Sequence, residues 1–125
     1  MKGKYNNCSD THKIIGCFYN VHNKLGSGFL EKVYQEALAL EFTKNKVPFK
    51  REKSLVIYYE NQPLNCKYIA DFICYNNIII EVKAVTELVP SHYSQILNYL
   101  KATNSNLGLL VNFGSNRVEI KRVAL

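Results

Sequence analysis

Two segments of strand length, Ile78–Val85 and Leu107–Phe113, flank a stretch with helical spacing, and together they restrict the fold more than any other part of the chain. The second, LGLLVNF, is almost wholly apolar, as a strand covered on both faces must be. Between the two, Pro90 suits the first turn of a helix whose Tyr93, Ile96, Leu97 and Leu100 form an apolar stripe reaching about Ala102. Parallel strands need such a crossover. The Leu107–Phe113 strand is therefore predicted in the sheet interior with parallel pairing.

The remaining elements follow from the period of the apolar residues. From Thr11 to Leu25, after a possible cap at Asp10, Ile14, Ile15, Phe18, Val21, His22 and Leu25 recur at helical spacing, and Gly26-Ser27-Gly28 breaks or bends the chain. A second helix is predicted over about Phe29–Asn45 on Leu30, Val33, Tyr34, Ala37, Leu38 and Leu40, ending before Pro48. The period then changes to that of strands: Leu55–Tyr59, a turn at Asn61-Gln62-Pro63, Lys67–Tyr75, a turn at Asn76-Asn77, then Ile78–Val85. After Leu107–Phe113, Gly114-Ser115-Asn116 turns into an alternating strand, Val118–Val123. The expectation is an α/β domain spanning 1–125, with an antiparallel three-stranded meander plus a crossover strand in one mixed sheet flanked by helices. A chain of this length buries about two-thirds of its unfolded surface.

Composition narrows the setting. No apolar run approaches the ~20 residues of a membrane span, and the start, MKGKYNNCSDTHK, lacks a signal peptide's apolar segment, so the expected compartment is the cytosol with no membrane partner. Cys8, Cys17, Cys66 and Cys74 then read as reduced thiols, since they form no C-x-x-C pair and match no zinc spacing. The net charge of +6 favours a polyanion as partner. The basic residues are spread along the chain, so charge marks no site.

The chemistry lies where charges interrupt the strands. In IIIEVKAV, Glu81 and Lys83 are two apart and share a face with Ile79. A strand end with an ordinary ion pair explains them if they stand alone. They do not, because Asp71 interrupts the previous strand in KYIADFICY, and a hairpin brings it back beside Glu81. Two carboxylates on one face repel, whereas Mg2+ accepts one or two hard oxygen ligands and fills its octahedron with water. Lys83 beside them could orient or deprotonate a water. The arrangement demands a parity: a two-residue Asn76-Asn77 loop would turn Asp71 and Glu81 to opposite faces, so the loop is predicted to be Tyr75-Asn76-Asn77, with Cys74 facing Ile78, or to contain a bulge.

Asp71, nine intervening residues and Glu81-Val82-Lys83 resemble the D…(D/E)-x-K signature of the PD-(D/E)XK nuclease superfamily, with Ala70 where a proline often precedes the aspartate. Gln95 and Tyr99 are similar to the Q-x-x-x-Y motif of RecB-type nuclease domains, and Gly28-Phe29-Leu30-Glu31-Lys32-Val33-Tyr34 resembles the pattern that names the GxxExxY proteins, a branch of the superfamily. The resemblance spans roughly His12 to Arg122. It implies Mg2+-dependent hydrolysis of phosphodiester bonds in DNA, Mn2+ substituting, with 5′-phosphate and 3′-hydroxyl products. Asp71 and Glu81 would hold the metal with Glu31 as a third carboxylate, Lys83 would activate water, and Gln95 would belong to the catalytic set. Tyr34, Tyr99 and His22 would support it. Four of these residues have a plain alternative: Glu31 favours its helix dipole, His22 is a partly buried structural histidine, and Gln95 and Tyr99 border an amphipathic helix. A nucleic-acid-binding module without turnover, or an assembly subunit, is the rival to the enzyme, and a homodimer or larger complex is left open.

Overall fold

The computed structural model describes the chain from Lys2 to Leu125, with side chains from Ser9 onward. Helix α1 (Lys2–Leu25) and helix α2 (Glu31–Lys44) are followed by strands β1 (Phe49–Tyr59), β2 (Gln62–Cys74) and β3 (Ile78–Lys83), helix α3 (Pro90–Ala102), and strands β4 (Leu107–Asn112) and β5 (Glu119–Ala124). The five strands form one sheet in the order β1-β2-β3-β4-β5. All neighbours are antiparallel except β3 and β4, which run parallel through the α3 crossover, as the apolar runs demand. Every residue of β4 is buried.

The sheet separates two cores. On one side Phe72, Cys74, Ile78, Ile80, Leu109 and Val111 pack under α1 and α2; on the other Ile73, Ile79 and Leu110 pack under α3. Ile78, Ile79 and Ile80 are all essentially inaccessible, though adjacent residues face opposite ways, so β3 is sandwiched on both faces. Each such side chain contributes about 1.5–3 kcal/mol relative to exposure.

The β2–β3 hairpin pairs Cys74 with Ile78, Ile73 with Ile79 and Phe72 with Ile80. This is the odd-length Tyr75-Asn76-Asn77 loop that the parity argument required, with Tyr75 and Asn76 both at positive φ. Continued by one step, the register sets Asp71 against Glu81.

Several boundaries differ from the sequence reading. Helix α1 begins before Asp10, which therefore lies inside it and caps nothing. Strands β1 and β2 are longer than predicted, and their turn is at Glu60-Asn61, both left-handed, with Gln62 and Pro63 already paired. In α2 the buried residues are Tyr34, Leu38, Glu41 and Phe42, whereas Leu30, Val33 and Leu40 are exposed. Spacing of four and three selects the first set, and Glu41 is kept inside by bonds from the Asn20 and Asn45 side-chain amides. Tyr93 is likewise exposed, leaving Ile96 and Leu100 as the buried stripe of α3. Cys17, Cys66 and Cys74 are free thiols, and Cys8 lies outside the described side chains. Among the described residues, no helix is long and apolar enough to cross a membrane.

Candidate active site

Regular alternation along β2 stops at Asp71. On its C-terminal side the even-numbered Phe72 and Cys74 face the α1/α2 core, whereas on its N-terminal side the even-numbered Tyr68 and Ala70 join the α3 core. Pairing with β3 ends at the same point, and opposite it on β1 Glu52 adopts a left-handed φ of 48° between the paired residues Arg51 and Lys53. Side chains take over where the ladder stops. An Asp71 carboxylate oxygen, Oδ2, accepts the Val82 amide at 2.8 Å, while Glu81 Oε2 accepts the Asp71 amide at 3.3 Å. Each carboxylate thus satisfies a backbone N–H that would otherwise be orphaned in the splayed hairpin.

Glu81 Oε2 also accepts the hydroxyl of Tyr68, whose buried ring stacks on Tyr99 with centroids 3.8 Å apart and planes within 9°. Among the described residues, Asp71 Oδ1 and Glu81 Oε1 form no hydrogen bond. One oxygen of each carboxylate is therefore held by protein and the other is free.

Electrostatics show how crowded this is. Burial, reinforced by the negative charge of Asp71, pushes the Glu81 carboxyl up to about 7, against the opposing effect of the Tyr68 hydroxyl, the Asp71 amide and Lys83. Burial also raises Asp71, with the Val82 amide and Lys83 opposing and Glu52 adding to the rise. Glu31, at the start of α2, is close enough to feel both: burial raises its carboxyl, Lys83 opposes and Asp71 adds. Lys83 thus acts on all three carboxyls, yet it pairs with none of them. The ion pair found among the described residues is Arg51–Glu36, at 3.0 Å. The plain salt-bridge explanation of Glu81 and Lys83 does not hold.

Lys83 is fixed through its backbone. Its carbonyl accepts the Phe113 amide at 2.9 Å, and the loop after it is clamped by the fully buried Asn112. Asn112 accepts the Val85 and Gly114 amides and donates to the Val85 carbonyl and to Glu119. A Cβ on Gly114 would overlap the Val85 backbone, so only glycine lets the loop lie this close.

The other predicted residues fall into place unevenly. The Tyr34 ring stacks on Phe113 with centroids 4.8 Å apart, and its hydroxyl donates to the Gly26 carbonyl at 2.6 Å and accepts the Phe29 amide, fixing the glycine loop that leads to Glu31. Tyr99 reaches Glu81 through the Tyr68 ring. His22 is buried against Phe113, and since a carbonyl only accepts, its Nε2–H donates to Ser115 O at 3.0 Å; the structure places it with the β4–β5 turn. Gln95 is exposed one turn before Tyr99, lining a shallow groove on α3 with Ser91, His92, Ser94 and Asn98. Tyr68 and Asn112 were not anticipated. Strict alternation puts Tyr68 on the face opposite Asp71, and Asn112 is hidden in an apolar run.

The donor set suits a hard divalent cation. Among the described residues no group of three or more His, Cys, Asp or Glu side chains is gathered as metal ligands, but two carboxylates with one free oxygen apiece match an ion that takes one or two protein ligands and completes its shell with water. Their mutual repulsion is what such a charge would relieve.

A family model described as the PD-(D/E)XK nuclease superfamily matches residues 9–123. Among solved structures, the chain is similar to the crystal structure of SSO0001, with a TM-score of 0.59 and 20% identity, over 74% of this chain and 50% of that one. The chain thus spans about half the length of that protein, and the likeness concerns the fold. No sequence among the curated proteins matches it significantly.

Proposed function

Because the chain belongs to the PD-(D/E)XK nuclease superfamily, we propose that it is a Mg2+-dependent nuclease hydrolysing phosphodiester bonds in DNA, with Asp71, Glu81 and Lys83 as its catalytic residues. The observation that carries this reading is the exchange at the splayed hairpin, where Asp71 and Glu81 each bind the other strand's backbone and each keep one oxygen free. Those oxygens would hold the ion, Glu31 standing by as a further carboxylate, and the ion when bound would supply positive charge against the negative charge building on the scissile phosphate. Lys83 Nζ would orient the attacking water, and it is as the unprotonated amine that it would take the proton. Tyr68, braced by Tyr99, keeps Glu81 turned so that Oε1 is the oxygen presented. Gly28, Glu31 and Tyr34 support placing the chain in the GxxExxY branch, and Mn2+ is the expected substitute ion.

The test is cleavage of labelled single-stranded DNA, duplex DNA and RNA with Mg2+, with Mn2+ and with EDTA. Cleavage of DNA that needs the ion and disappears in Asp71→Ala is the expected result. Binding without cleavage in any arm would instead identify a silent nucleic-acid-binding module. Tyr68→Phe refines the reading, because it keeps the stack on Tyr99 and removes only the hydroxyl. Loss of a group that orients a ligand typically costs 10–100-fold in affinity or activity. Tyr68→Phe is accordingly expected to weaken calorimetric Mn2+ binding by about ten-fold with little change in melting temperature.

A further inference from the structure

The segment leading into Glu31 breaks two local rules at one residue. Leu30 is the N-cap of α2, a position that favours Ser, Thr, Asp or Asn, and it makes no side-chain cap bond. It is also 80% exposed, the most exposed large apolar side chain of the described residues. Phe29 beside it is 47% exposed, although its ring meets Tyr34 edge to face. Val33, whose amide bonds the Leu30 carbonyl, is exposed as well. The loop itself is not loose, for the Tyr34 hydroxyl ties both Gly26 and Phe29. An apolar ledge is thus displayed next to Glu31, on the helix whose Tyr34 stacks on Phe113, the residue whose amide bonds the Lys83 carbonyl. Leu30 itself gives neither the helix nor either core a return, and a rule broken without one points to function.

We propose that Phe29 and Leu30, flanked by Val33, contact unpaired nucleobases of a strand entering the carboxylate site, so that the chain prefers single-stranded or unpaired nucleic acid to closed duplex. The inference rests on the nuclease reading, to which it adds the substrate class. Continuity decides the occupant: the ledge adjoins Glu31 directly, and a strand whose phosphate reaches Asp71 and Glu81 brings its bases alongside. Lys32, exposed in the same turn, adds a cation beside the ledge. Exposed bases are apolar faces on a polyanion. They stack on aromatic side chains and accept apolar wedges such as Phe and Leu, gains a closed duplex withholds.

Leu30→Ser separates this role from a structural one, because it supplies a preferred cap and removes almost no buried surface. Binding is measured by fluorescence anisotropy in EDTA at low salt, using labelled DNA of one length as single strand, blunt duplex and duplex with an unpaired tail. The parent is expected to bind the single strand and the tailed duplex about ten-fold tighter than the blunt duplex. Leu30→Ser is expected to melt a few degrees higher while losing most of that preference. No preference in the parent, or an unchanged one in the variant, overturns the proposal. So does a parent that sediments as a dimer and a variant that sediments as a monomer with the same DNA preference, for a second copy then covers the ledge. Since EDTA prevents turnover, a preference lost in Leu30→Ser stands even where no cleavage is found, and the nuclease reading then falls alone.

Discussion

Replacing Lys83 by Ala is expected to lower DNA cleavage by about 10²–10⁴-fold while leaving Mn2+ binding measurable, whereas Asp71→Asn should weaken both. The distinction follows from what each side chain holds. Lys83 sits at the end of β3, paired in register with Asn112 and anchored by its own carbonyl, so truncation leaves the strand in place. Its cation opposes the raised carboxyls of Glu81, Asp71 and Glu31, but a bound divalent ion provides that opposition itself. What the ion does not replace is a side chain placed to orient and activate the attacking water. Asp71 differs because one of its oxygens carries the Val82 amide and the other is offered outward, so an amide there removes charge from the site itself. Calorimetric Mn2+ titration beside single-turnover cleavage of both variants decides the matter. Equal loss of ion binding in the two would mean that Lys83 holds the site together and does not serve the water.

Much of this arrangement is legible in the sequence because it is a matter of parity. Ile79, Glu81 and Lys83 must share a face, Asp71 can join them only across an odd-length loop, and Cys74 does face Ile78. The interior parallel β4 follows as directly from its composition. What period-two reasoning misses are the places where the period itself fails. Tyr68 is three residues from Asp71 and so belongs, in a regular strand, on the other side; the change of phase at Asp71 turns it toward Glu81. Strand β1 extends back to Phe49 through residues 50–54, which have little strand propensity and of which Lys50, Arg51, Lys53 and Ser54 pair because β2 lies beside them. Leu30, Val33 and Leu40 count toward a helical stripe, yet the helix turns Tyr34, Leu38 and Phe42 inward. Apolarity signals where a residue could be buried, and the partner surface decides.

Glu81→Gln is expected to raise the melting temperature of the metal-free protein and to remove most of the stabilisation that Mg2+ or Mn2+ gives the parent. The amide keeps an oxygen to accept the Tyr68 hydroxyl and the Asp71 amide, so the contacts that fix the side chain survive. What disappears is a negative charge buried beside Asp71. The folded carboxyl titrates at about 7, above its value in the unfolded chain, so between the two the folded state binds more protons and stability falls as pH rises. Below the unfolded value both states are protonated and the penalty vanishes; above about pH 7 it is complete, on the order of 1–3 kcal/mol after allowance for solvent screening. The advantage of the variant should therefore be small near pH 5 and reach a few degrees at pH 8. Metal acts in the opposite sense, since an ion at a hundred times its dissociation constant stabilises the parent by about 2.7 kcal/mol and the variant far less. Thermal unfolding of both proteins at pH 5 and pH 8, with EDTA and with excess metal, tests each part. A variant that melts lower than the parent in EDTA at pH 8, yet gains as much from metal, would show that Glu81 is a structural carboxylate and that the ion binds elsewhere.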